Sequence, residues 1–385
     1  MNTQDVIFYD LLSRARKSGK GQLQAFINDQ VMQKYNELDI PGFKFAEDMQ
    51  LDFTYEQVQG ELGLNVMASY VDIDSPAVPD ATKGPTLSTG RIPRMKKVEY
   101  FNEDKVRKML ILEERFGANS DKVFATALTK LFKTSDALIG GHINSLSYQR
   151  HQIVSTGQFK VTAENNPQGI KGLVFASHVP TDNKTSLTGS KKWWTNTTKA
   201  TEGADANPVQ DLSDMVEKAR QAGVKGHFEI NAKYLSKVLS HSKVVSQIGI
   251  NVLPAATAEA QVSYAGVLSR AKKKAALEEL IGATIVEQDH LATAQKVVKG
   301  EIVNSTLDSF AQDVVVFVPD GNLGEIVVVE PIAIAGGNYA SFLDGRGLMT
   351  VEADYTKKCQ SFSTELTALC VPNLPQYMYY IYPNA

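Results

Sequence analysis

The 385-residue chain is most constrained by one feature, a long helical pattern over residues 120–157. Ser120 is a suitable N-cap and Gly157 a suitable stop, and apolar residues recur every three or four positions between them. Those positions are Val123, Leu128, Leu131, Leu138, Ile139, Ile143 and Leu146. The pattern predicts a helix of about nine or ten turns, far longer than an average helix of ~11 residues. The pair Gly140 and Gly141 in its middle predicts either a kink or a close neighbour.

Helical and strand patterns are mixed along the rest of the chain. Asn207 and Pro208 predict the start of a helix that Gly223 closes. The β-branched runs at residues 313–321 and 324–336 predict strands buried on both faces. A final aromatic strand follows a Pro-marked bend near the C-terminus. Because these segments do not alternate strictly as βαβ units, the predicted fold class is α+β.

The first hundred residues predict extensions rather than core. Residues 4–37 predict a helix in two pieces with narrow apolar faces. Residues 50–74 alternate as a two-stranded ribbon with its turn near Gly60, and the Pro/Gly-rich residues 75–94 predict an exposed loop. Such segments bury little in their own subunit, while ordering them costs ~1–2 kcal/mol per residue. The sequence therefore predicts a protein whose neighbouring copies cover these extensions.

The overall composition indicates which binding partners and which cellular compartment to expect. The chain has 43 acidic and 40 basic side chains, a formal net charge of -3, so no general basic excess draws it to nucleic acid. We interpret its two cysteines, Cys359 and Cys370, as thiols in a reducing compartment. No segment has the apolar core of a signal peptide or the apolar length of a membrane-spanning helix. The sequence therefore predicts an intracellular protein with no membrane partner.

The sequence contains no catalytic motif that we can identify. It has neither a phosphate-binding loop nor a nucleophile elbow, and its histidines form no zinc motif. Those histidines are His142, His151, His178, His227, His241 and His290. We therefore expect no catalytic residue, no metal, no cofactor and no enzyme activity. A soluble hydrolase with an unrecognised site is the alternative.

Both tryptophans of the chain are adjacent, at Trp193 and Trp194. We interpret them as an anchor, either within the core or at a subunit contact, because buried indoles supply large contact areas. A sugar-binding platform is less favoured, since no paired carboxylates accompany them. The other candidate subunit contacts lie in the predicted extensions of residues 4–37 and 75–94: Phe8, Leu12, Lys83, Arg91 and Arg94.

Several segments, in order, resemble one protein family. They are "TGRIPRMKKVEYFNEDKVRKM" (89–109), "SYQRHQIVSTGQFKV" (147–161), "WWTNTTKATEGADANPVQDLSDMVEKARQAG" (193–223), "FVPDGNLGEIVV" (317–328) and "ELTALCVPNLPQYMYYIY" (365–382). With the arm, ribbon and long helix, the chain resembles the major capsid proteins of tailed bacteriophages. These have the Hong Kong 97-like fold, and the resemblance is greatest to the lambda-like capsid protein E group.

The resemblance implies a division of the chain and a function. Residues 1–49 would form the N-terminal arm, 50–97 the extended loop, 98–203 the peripheral domain with its spine helix, 204–340 the axial domain and 341–385 a return to the peripheral domain. It implies hexamers and pentamers that close an icosahedral shell around packaged double-stranded DNA, without sequence-specific DNA binding. Scaffold, portal and decoration proteins are the implied partners, and the virion capsid, assembled in the host cytoplasm, is the implied location. An encapsulin-like compartment with the same fold is the alternative.

Overall fold

The computed structural model describes residues 40–59, 86–101, 111, 121–167, 169–196, 201–298, 301–333, 338–354 and 359–384. Within these ranges the helices are α1 (Asp121–Thr156), α2 (Pro208–Gln221), α3 (Ala232–Val238), α4 (Ser242–Val252), α5 (Ala258–Val267) and α6 (Arg270–Ile281). The strands up to the end of α2 are β1 (Phe43–Phe45), β2 (Thr54–Gln59), β3 (Thr86–Arg91), β4 (Arg94–Phe101), β5 (Gln158–Lys160), β6 (Val174–Ala176), β7 (Lys184–Ser186), β8 (Trp194–Asn196) and β9 (Thr201–Glu202). The later strands are β10 (Gly226–Asn231), β11 (Ile285–Gln288), β12 (Leu291–Val298), β13 (Glu301–Asp308), β14 (Val315–Pro319), β15 (Gly324–Val328), β16 (Asn338–Phe342), β17 (Gly347–Asp354), β18 (Cys359–Pro372) and β19 (Tyr379–Tyr382).

The chain divides into two compact units. Unit 1 comprises Met1–Tyr55, Arg91–Ser147 and Ile326–Leu369, and unit 2 comprises Glu56–Gly90, Tyr148–Glu325 and Cys370–Ala385. The boundary falls inside α1, whose residues through Ser147 belong to unit 1. Among the described residues, no helix combines the length and apolar content needed to cross a membrane.

Unit 1 is built on a sheet of order β1-β15-β18-β17-β16, with β4 also paired to β18. β18 is antiparallel to both β17 and β4. The part of α1 in this unit buries Leu138, Ile139 and Leu146. His142 on the same helix lies 2.9 Å from Thr364 Oγ1 of β18, through its Nε2. The helix and the sheet therefore share one core.

The predicted long helix is confirmed from Asp121 to Thr156, and Gly157 follows it with a φ of 71°. The glycine pair in its middle admits a close neighbour. A Cβ atom added at Gly141 would lie 2.6 Å from Cδ of Lys97. The Nζ atom of the same lysine donates to the Ala137 carbonyl at 3.0 Å. A glycine here therefore lets the β4 lysine cross the helix surface.

Unit 2 contains a five-stranded sheet of order β11-β10-β14-β19-β7. Its inner pairs β10–β14 and β14–β19 are antiparallel, whereas the outer pairs β10–β11 and β19–β7 are parallel. All five residues of β14 are buried, as predicted from its β-branched run. The predicted aromatic C-terminal strand is β19, which lies between β14 and β7. α6 packs on α2 and α4, and α4 packs on α5.

Two predictions, the burial of one strand and the extent of one loop, need correction. β15 was expected to be buried on both faces, but its burial alternates, with Glu325 and Val327 half-buried. Ile332, from the same apolar run, is 80% exposed. The exposed loop predicted for residues 75–94 ends in strand β3, followed by buried Ile92 and Pro93. The sequence of β3 has no alternation of apolar and polar residues, so no strand was predicted there. The strand forms through main-chain pairing with β2.

The predicted ribbon of residues 50–74 is described only in its first half. β2 reaches Gln59 and pairs with β3. The rest of the ribbon and the N-terminal residues up to 39 lie outside the described residues.

Candidate self-association surface

One segment of unit 2 is almost free of charge. Between Lys243 and Arg270 the only charged residue is Glu259. This segment forms α4 and α5, two helices that were not predicted from the sequence. The scarcity of charge over so long a stretch was the signal that could have found them.

The two helices approach each other closely at a glycine. A Cβ atom added at Gly249 of α4 would lie 2.6 Å from the Gln261 carbonyl oxygen of α5. Gln261 in turn donates through Nε2 to the Leu253 carbonyl at 2.9 Å. Val244 and Ile248 of α4 and Ala265 of α5 are fully buried. The pair is therefore a tightly packed helical hairpin.

The outer sides of this hairpin are apolar and exposed. We call the exposed side chains Ile250 (51%), Val252 (38%), Val262 (45%), Tyr264 (42%) and Val267 (81%) the apolar surface. A helix that is apolar all round is typical of a buried position. Only two residues of α5 are buried, so this helix has the composition of an interior element on the outside of the subunit. Exposed apolar side chains on two neighbouring helices make these helices a candidate interaction site.

The N-terminus of α4 is held by side chains on both sides of it. His241 is its N-cap and accepts through Nδ1 from the Lys243 amide at 3.2 Å. Glu202 of β9 accepts from the Ser242 amide at 2.8 Å and also from the Ser242 hydroxyl. Two of the main-chain N–H groups that a helix start leaves without intrahelical partners are satisfied in this way.

The tryptophan pair packs inside unit 2 behind this helix start. Trp193 is 0% and Trp194 5% exposed. Both rings contact Tyr234 of α3, with centroids 6.4 and 5.5 Å away, and Trp194 lies edge-on to His241 at 5.5 Å. Trp193 Nε1 donates to Asp211 Oδ2 at 2.7 Å. Of the two roles expected for the pair, the structure shows the packing role.

The pKa of Asp211, the carboxylate behind the tryptophans, is raised above its ordinary value. Burial of the carboxylate is the main cause, and the hydrogen bond from Trp193 partly opposes it.

Two of the other candidate contact residues lie in the described chain, both in unit 1. Arg91 ends β3 and is exposed. Arg94 bonds both carboxylate oxygens of Glu365 through Nη2, at 2.7 and 2.6 Å, and Lys96 joins this carboxylate at 3.1 Å. Burial raises the pKa of Glu365, but the bonds from Arg94 and Lys96 outweigh it, so the pKa is lowered. Phe8, Leu12 and Lys83 lie outside the described residues.

A buried ion pair joins the end of α1 to β10 in unit 2. Arg150 Nη1 donates to Glu229 Oε2 at 2.7 Å, and both side chains are 1% exposed. Gln288 Nε2 donates to the same oxygen at 2.9 Å. Burial alone would raise the pKa of Glu229, but the Arg150 charge lowers it to about 2. The sequence carries no local signal for this pair, because its partners are 79 residues apart.

Two of the histidines lie against each other, and another is paired with a carboxylate. His151 stacks on His290 with centroids 5.0 Å apart, and His227 bonds Asp320 at 2.8 Å through Nδ1. His178 is exposed, with a positive φ of 55°. In the part of the chain that the structure describes, no group of three or more His, Cys, Asp or Glu side chains is placed to hold a metal ion.

Neither a family model nor a curated protein matches this chain. Solved structures similar to it include a prophage protein of Escherichia coli CFT073 described as a capsid protein, 11% identical, with a TM-score of 0.47 over 99% of each chain. The procapsid of satellite phage P4 is 10% identical, with a TM-score of 0.43 over 100% of this chain and 98% of that one. An encapsulin complex from Synechococcus elongatus is 7% identical, with a TM-score of 0.34 over 89% and 85%.

The structure confirms the α+β fold class predicted from the sequence. Within the described ranges, helices and several mixed or antiparallel sheets combine as an α+β fold.

Proposed function

We propose that this chain is a major capsid protein that assembles through itself into hexamers and pentamers of an icosahedral shell. The observation that carries the proposal is the apolar surface of α4 and α5. An apolar, nearly uncharged helical hairpin gains most from a partner that removes it from water, at ~25 cal/mol per Å² of apolar area. A second copy is well suited, because a surface almost without charge meets its own image without like-charge repulsion.

The remaining parts of the proposal come from the resemblance of the sequence. Residues 1–49 serve as the arm, 50–97 as the extended loop, 98–203 and 341–385 as the peripheral domain, and 204–340, which contains the apolar surface, as the axial domain. The shell encloses double-stranded DNA without sequence-specific contacts, and scaffold, portal and decoration proteins are its partners. The chain acts as a structural protein of the virion rather than as an enzyme, and it assembles in the host cytoplasm.

A single substitution tests the role of the apolar surface. Val267→Asp introduces a charge at its most exposed member, 81% exposed. We expect the variant to fold with its free energy of unfolding changed by less than about 0.5 kcal/mol, as for most surface substitutions. Its assembly, followed by light scattering and analytical ultracentrifugation, should be lost.

The matched control is Ile170→Asp, at a 65% exposed isoleucine of unit 2 outside both helices. It should assemble like the wild type. Normal assembly of Val267→Asp would contradict the role of the apolar surface.

The contents of the particles separate the proposal from an encapsulin-like compartment. Particles from infected or induced cells should contain double-stranded DNA, measured by nuclease-protected nucleic acid. Particles that hold a protein cargo and no DNA would favour the compartment instead.

A further inference from the structure

The N-terminus of α4 depends on the protonation state of its cap. Because His241 Nδ1 accepts a hydrogen bond from the Lys243 amide, the neutral ring carries its proton on Nε2. The side chain is 1% exposed, and Nε2 makes no hydrogen bond to the described part of the chain. Glu202 Oε2 lies 3.9 Å from this nitrogen, just beyond bonding distance.

When the His241 ring is protonated, the second proton binds to the Nδ1 atom. Imidazolium has no acceptor atom, so Nδ1–H would then point at the N–H of Lys243, a donor facing a donor. The positive charge would also lie at the positive end of the helix dipole of α4, where cations are disfavoured. Protonation therefore breaks the cap.

The same proton strengthens the attraction between His241 and Glu202. The carboxylate of Glu202 already accepts from the Ser242 amide and hydroxyl. Moving it onto the imidazolium would weaken these bonds too, so both caps of α4 loosen together. The first turn of α4 would then lose main-chain hydrogen bonds, while His241 and Glu202 would form an ion pair.

The surroundings of His241 set the pH at which this happens. Burial lowers the pKa of His241 below its ordinary value, and the positive charge of Lys243 on α4 adds to this effect. The Glu202 charge from β9 and the main chain of Trp193 oppose it. β8 contributes only the neutral ring of Trp194. The ring is therefore neutral at neutral pH and takes its second proton in acidic solution.

We propose that His241 is a pH-sensitive cap whose protonation in acidic solution releases the first turn of α4 and weakens association through the apolar surface. Ile250 and Val252 of that surface lie on α4 itself. The release of α4 stands on the local geometry alone, whereas the effect on association rests on the proposed function.

Hydrogen exchange of the full-length chain tests the release of α4. His241→Asn keeps a side-chain oxygen that caps a helix well but cannot be protonated. Peptides covering residues 242–252 are compared between the wild type and this variant at about pH 7.5 and at about pH 5. Comparison at equal pH cancels the chemical pH dependence of exchange. We expect equal protection at the higher pH and about tenfold faster exchange in the wild type at the lower pH, the effect of losing one N-cap.

His178→Asn is the matched control, since His178 is exposed and asparagine tolerates its positive φ. It should behave like the wild type. Equal exchange in all three proteins at acidic pH would show that His241 is not a pH-sensitive cap.

Light scattering of assembled particles at the same two pH values tests the effect on association. Acid-induced loosening of α4 without any loss of wild-type particles would overturn the link to association. If no particles form at any pH, the proposed function fails, while the exchange comparison still decides whether His241 is a switch.

Discussion

At the scale of single residues, the buried pair of Arg150 and Glu229 has the largest expected effect on stability. Glu229→Gln leaves the guanidinium of Arg150 buried without its carboxylate. We expect a loss of about 3–5 kcal/mol in the free energy of unfolding, measured by denaturant titration.

The control for this prediction is Glu287→Gln. Glu287 pairs with Arg270, and their side chains are 31% and 47% exposed. An exposed ion pair contributes about 1 kcal/mol or less. A similar loss in the two variants would show that burial of the Arg150–Glu229 pair is not decisive.

His142 should make stability depend on pH. Burial and the positive charge of Lys97 lower its pKa to about 4, from an ordinary value of 6.5. As the pH falls, His142 is protonated in the unfolded chain before it is protonated in the folded chain. The free energy of unfolding is therefore unaffected by His142 above pH 6.5 and decreases as the pH falls towards 4. The expected loss is about 3 kcal/mol, at ~1.4 kcal/mol per pKa unit.

Urea unfolding of wild type and His142→Gln across this pH range measures the effect. The wild type should lose more stability on acidification than the variant. His227, whose raised pKa gives the opposite trend, is present in both proteins and cancels in the comparison. Parallel pH curves for the two proteins would refute the assignment to His142.

Local chemistry made some residue roles predictable from sequence and left others hidden. Asn207 was predicted to cap α2, and its side chain accepts from the Gln210 amide. Gly157 was predicted to end α1, and it follows the helix with a positive φ. Both roles depend only on adjacent residues. The Trp193–Tyr234 stack depends on tertiary folding, which no local pattern encodes.

At the scale of elements, the contact between α4 and α5 predicts opposite effects for two glycines. Gly249→Ala improves helix propensity, but its Cβ would lie 2.6 Å from the Gln261 carbonyl oxygen, so we expect destabilisation. Gly266→Ala on α5 meets nothing within 4 Å and should stabilise by up to ~1 kcal/mol. Thermal unfolding of both variants measures the difference. Equal gains in stability would show that the helices do not approach so closely.

The predictability of an element followed the clarity of its periodic pattern. α1 has a long amphipathic stripe with clear ends, and α2 has Asn207, Pro208 and one apolar face, so both were predicted. The apolar residues of α5 follow no amphipathic period, so this helix was missed. The burial of β15 was overestimated because its run of valines continues through positions that face outward.

At the scale of the whole molecule, the proposed function depends on self-association. The described part of unit 2 has a well-packed core around its sheet and the tryptophan pair, yet it leaves an apolar helical hairpin exposed. A subunit that functioned alone would gain solubility from charges on these helices. The scarcity of charge between Lys243 and Arg270 is instead typical of a surface that a partner covers.

Electron microscopy of the purified full-length protein is the most direct test of self-association. We expect closed shells of uniform curvature, or rings of five and six subunits that close into shells on concentration. Dispersed particles of single-chain size at every concentration and salt condition, with the chain folded by circular dichroism, would contradict the account.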